Sequence, residues 1–438
     1  MLTFKKLSFA VFSFRTTCVF AILSWCISAF STTLDSKQIF ERIRPSVVEV
    51  QTKTRGNQGI AAAASGFLVH RKDWIVTNYH AVTEALFEPA DNELSVVTHS
   101  GARVPAQVVA VDVVHDLAIL QLKTALSAPV LPLREQWPAK GEAGYSMGKP
   151  GQYQHSIVGG TFNGVIDEGS APQIVFSGAI NPGMSGGPTL DAMGRVVGIN
   201  VASSTENQLL GLAVPAQALA KLIEQHSPAE PPDNSALRKG IASQFAAHGR
   251  LQLQAMPQDG MAVRQLGPFQ VLGDLSADKE CETSRHDAPG RRYRMLEQRC
   301  DSAMGLYIMP KLYAGQMVTG AFWLQGKNLG RLEMARLVER RLNDLRRISE
   351  EDTTPARWTC HEQRLSAAGG LAVHLHACQR PVAKLPGLYD YRFRYAPLVQ
   401  GQDALVVAMG LSGFDKDTAR AVLRRSLAAL RHDAQEDQ

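Results

Sequence analysis

The stretch NPGMSGGPTL, Asn181 to Leu190, sets a serine between glycines. Glycines let a backbone turn sharply, adopt conformations that a Cβ opposes, and bring amide N–H groups close to an anion. The run therefore suits a plain turn or a loop that presents a nucleophile together with its own anion-binding amides. The surrounding chain has to decide between the two.

Acyl transfer by a serine needs a nucleophile, a base to take its proton, a carboxylate to orient the base, and amides to hold the oxyanion. The opening stretch offers Ser185 as nucleophile and the N–H groups of Gly183 and Ser185 as oxyanion donors. Among twelve histidines, His80 has the most telling context. In WIVTNYHAV it follows an apolar run that reads as a buried strand, so its ring would be delivered from a rigid element. For the carboxylate, VVHDLAILQL places Asp116 just ahead of a wholly apolar run, where an unpaired charge is costly. Each residue taken alone has a plainer reading: a structural histidine, a strand-capping aspartate, a turn serine. Asp112 competes with Asp116 for the same role.

The rest of the chain bounds what such a site could belong to. With 438 residues, 45% hydrophobic and 20% charged, the chain has enough apolar material for packed cores and is long enough for two or three domains. Lys5, Lys6 and Arg15 precede the run CVFAILSWCISAF, whose roughly thirteen residues fall short of the ~20 that span a membrane. Residues 1–31 are therefore expected to be an export signal, cut near SAFSTT, which sends the protein to the periplasm or outside the cell with no stable membrane span after cleavage. An uncleaved anchor is the alternative.

From about Ser36, short apolar runs such as SVVEVQT, SGFLV, WIVTN, LAILQL and VVGINVA alternate with glycine-bearing turns, which is the pattern of an all-β barrel or sandwich. A helical run, PAQALAKLIEQH, leads into the proline-rich SPAEPPDN, and this marks a boundary. The expected domains are 36–226, a linker at 227–234, and an α+β region at 235–438.

Beyond the boundary, amphipathic helices are expected near Gly330 to Ile348 and in DKDTARAVLRRSLAALR, the second with Asp415 as its N-cap. Each follows two strand-like runs and a cysteine pair, so a duplicated ββα unit is expected. Cys281, Cys300, Cys360 and Cys378 remain after the signal, and an even number in an exported chain favours disulfides. Of three pairings, Cys281–Cys300 with Cys360–Cys378 would close one local hairpin each. A zinc site lacks the usual C-x-x-C spacing, and His361, His374 and His376 beside Cys360 and Cys378 read as surface residues, so no metal and no cofactor is expected.

Charge divides unevenly: residues 32–234 carry a net −5 and residues 235–438 a net +7. The arginines of the second half alternate with acids on helices, as on a solvated face, so nucleic acid is not an expected partner.

The segments SGFLVHRKDWIVTNYHAV, HDLAILQL, SMGKPGQYQHSIVGGTFNG, GAINPGMSGGPTLDAMGRVVGIN and GLAVPAQAL, in this order between Ile39 and Gln225, resemble the signature segments of trypsin-fold serine proteases of the HtrA, or Deg, type. The resemblance implies a double β-barrel with the site between the barrels. Carried over position by position, it makes His80 the general base, Asp116 its orienting partner, Ser185 the nucleophile, and the amides of Gly183 and Ser185 the oxyanion hole. It also puts Ala179, with Ile180 beside it, at the base of the primary pocket, where no acid would greet Lys or Arg. Small or medium apolar side chains are then the expected preference.

The chain departs from that family in three places. Met184 stands where Asn is common, which predicts a lost polar contact near the substrate. QTKTRGNQGIAAAASG leaves little room for a long regulatory loop. Nothing after the linker resembles the PDZ domain usual in the family. The expected function is that of an exported serine endopeptidase acting on protein or peptide substrates, with a C-terminal domain that binds substrate or a protein partner. The alternative is a latent or non-catalytic trypsin-fold binding or scaffold protein.

Overall fold

The computed structural model describes residues 35–432 apart from 57–58, 152, 168–170, 202–209, 227–230, 257–262, 276–280, 288, 303–304, 311, 345–355, 368–369 and 399–400. The expected export signal lies outside the described residues. Among those described, no helix is long and apolar enough to cross a membrane.

A short helix, α1 (Ser36–Ile43), opens the described chain. Its N-terminus is held by a capping box between Asp35 and Gln38. Six antiparallel strands then close into a barrel: β1 (Val47–Thr54), β2 (Ile60–Leu68), β3 (Trp74–Asn78), β4 (Asn92–Val97), β5 (Arg103–Asp112) and β6 (Leu117–Leu122). The five-residue helix α2 (Thr83–Phe87) follows β3.

A second six-stranded barrel is built from β7 (Ala143–Gly148), β8 (Ser156–Ile166), β9 (Gln173–Phe176), β10 (Pro188–Asp191), β11 (Val196–Val201) and β12 (Gly211–Pro215), and α3 (Ala216–Gln225) closes it. The two barrels share an apolar core in which Phe67, Val76 and Ile119 of the first meet Met147, Leu190 and Ile199 of the second. Ile39 and Ile43 of α1 and Leu219 and Leu222 of α3 join that core. The expected double barrel is therefore present, and each barrel hides the sheet edges that open strands would expose.

The region after residue 230 opens with a helix of little amphipathic pattern, α4 (Asn234–Ala255), N-capped by Asp233. Two small strands follow, β13 (Val263–Leu266) and β14 (Phe269–Leu272). Next come β15 (Glu282–His286), β16 (Tyr293–Asp301), the hairpin β17 (Leu306–Met309) and β18 (Leu312–Ala314), β19 (Gln316–Gly326) and α5 (Arg331–Asp344). The chain continues through β20 (Thr359–Ser366), β21 (Ala372–Pro381), β22 (Tyr389–Pro397), β23 (Asp403–Phe414), α6 (Lys416–Ala429) and β24 (Arg431–His432). Asp415 caps α6 as expected, accepting from the amides of Asp417 and Thr418.

A single seven-stranded antiparallel sheet, in the order β15-β16-β19-β23-β22-β21-β20, organises this domain. Met334 and Val338 of α5 pack on one face against Phe322, Val406 and Ala408. Ala419 and Val422 of α6, with Phe269, cover the other face against Leu405, Val407 and Tyr395. Burial on both faces explains why ALVVAMGL in β23 is a continuous apolar run rather than an alternating one.

The duplication exists in modified form. Each unit contains a disulfide hairpin as well as the strands and helix, so it is larger than ββα. In the second unit GLYDYRFRY supplies β22 inside the sheet, between β21 and β23. In the first, the matching GLYIMPKLY supplies the β17–β18 hairpin, which has left the sheet, and β16 pairs directly with β19.

Both disulfides join the expected cysteines, Cys281 to Cys300 and Cys360 to Cys378. Cys360 lies directly opposite Cys378 in the β20–β21 pair at one edge of the sheet, and the other bridge closes β15–β16 at the opposite edge. These are the positions where an outer hairpin would otherwise fray. Replacing Cys360 and Cys378 together by alanine is expected to lower the unfolding free energy of this domain by about 3 kcal/mol, the chain-entropy value for a loop of this length. Guanidinium titration of wild type and double variant checks it.

The C-terminal domain is not tethered loosely. An apolar cluster runs without a break from Val50, Ile75 and Leu120 of the first barrel, through Leu86 and Phe87 of α2, to Ile241 and Phe245 of α4 and Ile308 of the hairpin. Phe245 and Ile241 are fully buried, and each such side chain stabilises its contact by about 1.5–3 kcal/mol relative to exposure. Gln244 adds polar registration, accepting from the amide of Val113 and donating to the carbonyl of Val111.

Candidate active site

His80 sits in a single 3-10 turn, Tyr79–Ala81, directly after β3. Asp116 ends the turn that joins β5 to β6. Because β3 and β6 are neighbours, with Asn78 opposite Leu117, the ends of these strands bring the two residues together although 36 positions separate them in sequence. The carboxylate of Asp116 meets His80 twice: Oδ1 accepts from the His80 amide at 2.9 Å, and Oδ2 lies 2.6 Å from Nδ1. The Asp116 carbonyl accepts from the amide of Tyr79 and from Nδ2 of Asn78. Asp116 also has φ of 54°, a left-handed conformation that Asp and Asn tolerate better than most residues. A residue so over-determined can orient an imidazole without moving itself.

Burial of His80 favours its neutral form and would lower its pKa. The charge of Asp116 and the hydrogen bond to it outweigh burial, and with Glu84 nearby the pKa is raised above the ordinary histidine value. Asp112, the competitor, is occupied elsewhere. It accepts from the amides of Val114 and His115 and from Nδ1 of His115, an Asx turn that shapes the loop carrying Asp116.

The loop that carries Ser185 is fastened from below. The hydroxyl of Ser65 in β2 donates to the carbonyl of Gly183 at 2.7 Å and accepts from the amide of Lys149 at 2.8 Å. The Ser65 amide donates to the carbonyl of Ser185, and the Gly186 amide donates to the carbonyl of Asn200. Asn200, fully buried in β11, donates to the carbonyls of Met147 and Met184 and accepts from the hydroxyls of Ser146 and Thr189. With these carbonyls turned inward, the N–H groups of Gly183 and Ser185 have no backbone acceptor among the described residues.

Two glycines are dictated by this packing. Gly183 has φ of 94°, and a Cβ there would stand 2.6 Å from the Lys149 carbonyl oxygen. Gly186 has φ of 81°, and a Cβ would meet the Ser65 carbonyl oxygen at 2.2 Å and the Asn78 amide nitrogen at 3.1 Å. The second contact sets the residue after Ser185 against the end of the strand that leads to His80, across the seam between the barrels.

The expectation for Met184 is corrected. Its side chain is fully buried beneath the loop, where a Cβ on Gly148 would touch it at 2.9 Å. It is a packing residue and loses no polar contact to substrate. Of the two pocket residues, Ala179 is half-buried, whereas Ile180 is buried and turned inward, with its Cδ1 occupying the space a Cβ on Gly211 would need. Residues 202–209, which connect β11 to β12, lie outside the described residues. His376 lies near Cys360 and Cys378, but both sulfurs are bound to each other and offer no thiolate; His374 pairs with Glu362 at 3.6 Å.

Sequence reasoning missed Ser65, Asn200 and Tyr307. The first two carry a signal in hindsight, a polar residue within the apolar runs SGFLV and VVGINVA, because a buried polar group must be hydrogen-bonded. Tyr307 carries none; its ring packs at 75° to that of His80, 6.0 Å between centroids.

Residues 64–199 match the family model described as trypsin-like peptidase domain. Among curated proteins, serine protease HTRA4 of Mus musculus is 29% identical over 201 residues, covering 43% of this chain and 40% of that protein. A probable periplasmic serine endoprotease, DegP-like, of Chlamydia pneumoniae is 30% identical over 178 residues, covering 38% and 34%. Among solved structures, the serine endoprotease from Yersinia pestis has 25% sequence identity and a TM-score of 0.38, covering 44% of this chain and 67% of that one. The chain thus spans less than half the length of these curated relatives, and the residues that match the trypsin-like peptidase model fall within its two barrels.

Proposed function

We propose that this chain is an exported serine endopeptidase that hydrolyses peptide bonds of protein substrates through an acyl-enzyme. The observation that carries the reading is the doubly bonded His80–Asp116 pair at the end of a strand set against the loop of Ser185, in which the amides of Gly183 and Ser185 have no backbone acceptor among the described residues. Ser185 Oγ attacks the scissile carbonyl carbon while Nε2 of His80 takes its proton. Asp116 stabilises the imidazolium, and the N–H groups of Gly183 and Ser185 hold the oxyanion. The C–N bond breaks as His80 gives the proton to the leaving amine, and water repeats the sequence to release the acid. Ala179, with no acid next to it in sequence, favours small or medium apolar side chains at the cleaved position; a peptide library cut mainly after Lys or Arg would refute that preference.

Export is supported by the two disulfides, which persist in oxidising compartments, and by the periplasmic designation of the chlamydial relative. The binding or scaffold alternative keeps the fold and loses the chemistry. A fluorophosphonate separates the two, because it reacts with an activated serine and little with an ordinary hydroxyl. Wild type is expected to gain one adduct by intact mass and Ser185→Ala none; silence from wild type would leave the binding reading. The labelling rate supplies a pH test. Only neutral His80 can act as base, and its pKa is raised, so the rate should fall as pH drops through a midpoint above the ordinary histidine value, about 6.5. A midpoint below that value contradicts the paired histidine.

A further inference from the structure

The β17–β18 hairpin has left the sheet to which its counterpart in the repeat belongs, and it lies against His80. An isolated two-stranded hairpin is marginal in water, so its place must be fixed by what it touches. Leu306 and Ile308 are buried in the cluster shared with α2 and α4. The buried hydroxyl of Tyr79, the residue before His80, donates to the carbonyl of Ile308 at 3.2 Å. At the hairpin's base, the Gly315 amide donates to the carbonyl of Ser412, and the Ser412 hydroxyl donates to the carbonyl of Tyr313.

Strand alternation then aims Tyr307 away from Leu306 and Ile308. Its ring meets that of His80 edge-on, its hydroxyl meets Thr83, and Tyr313 backs it with ring centroids 5.6 Å apart. Thr83 in turn bonds the His80 carbonyl.

We propose that Tyr307 is a positioning residue of the protease site, contributed by the C-terminal domain: it buttresses the ring of His80 in its rotamer and shuts water from one side of it. The C-terminal domain is then part of the active site and more than an appended binding module. This rests on the protease reading, but its core claim, that Tyr307 governs His80, does not.

The groups facing His80 are Asp116 from the β5–β6 turn, Glu84 from α2 and Tyr307 from the hairpin. Tyr307, pushed up to about 12 chiefly by burial, stays neutral and contributes no charge at any working pH. Its influence on His80 is therefore desolvation and contact. Removing the ring lets water stabilise the imidazolium, while the bond to Asp116, on another side, is kept.

The test uses the full chain with Tyr307→Ala and Tyr307→Phe, and Tyr307→Leu should the alanine variant fail to fold. The histidine ring titration is followed by NMR in a Ser185→Ala background. The His80 midpoint is expected to rise by about half a pH unit in Tyr307→Ala and to stay put in Tyr307→Phe, which keeps the ring. With Ser185 present, kcat on a cleavable peptide should fall about tenfold in Tyr307→Ala, with KM changed less than about twofold, and recover in Tyr307→Phe. An unmoved or lowered midpoint overturns the proposal. So does a faster Tyr307→Ala enzyme, which would make the hairpin a plug. If wild type fails to take up a fluorophosphonate, the protease reading fails, and the titration still decides whether Tyr307 acts on His80.

Discussion

Ser185→Ala is expected to lower kcat for a cleavable peptide by about 10⁶-fold, the loss seen when a serine nucleophile is removed from a working triad. No neighbour replaces it. The hydroxyl of Ser65, the next serine in the loop's surroundings, is committed to the Gly183 carbonyl and the Lys149 amide. The variant should keep its fold, because the contacts that fix the loop run through backbone groups of Gly183, Met184, Ser185 and Gly186 and through the side chains of Ser65 and Asn200. Residual catalysis of about 10³–10⁴ over water should survive from the oxyanion amides and binding alone. Activity within about tenfold of wild type, on material with an unchanged melting curve, would remove Ser185 from the mechanism.

Asp116→Asn is expected to lower kcat by about 10⁴-fold while leaving the structure in place. Asn is isosteric and tolerates the left-handed backbone that residue 116 adopts, φ of 54°. The carbonyl bonds from Tyr79 and Asn78 and the His80 amide bond to Oδ1 can all be kept. What changes is the atom opposite Nδ1. An amide N–H₂ there is a donor, so Nδ1 must accept and the ring proton moves to Nε2, the atom that has to receive the proton of Ser185. The acid limb should move down as well, since the carboxylate that holds the His80 pKa up is gone. Steady-state rates against pH for wild type and variant read both effects. A small loss with an unmoved limb would transfer the orienting role away from Asp116 and reopen the case for Asp112.

The sequence by itself determined the parts whose signal is local. Short apolar runs between glycine-bearing turns announce an all-β barrel or sandwich, the order of the signature segments implies the double barrel through resemblance, and the glycine at 183 marks a sharp turn whose backbone a Cβ would oppose. The cysteine spacing announced both bridges for a similar reason, since each closes neighbouring strands.

Only the tertiary structure decided the rest. Met184 reads as exposed beside a nucleophile, yet the turn rotates it into the core. The helix Asn234–Ala255 shows little amphipathic pattern because it is gripped by the first barrel and by the C-terminal sheet at once, with Phe245 in one core and Gly249 against Phe414 of the other. GLYIMPKLY and GLYDYRFRY look alike, but one is a hairpin against His80 and the other a sheet strand. That choice rests on contacts between residues more than 200 positions apart, such as Tyr79 and Ile308, and side-chain periodicity carries no information about partners so distant.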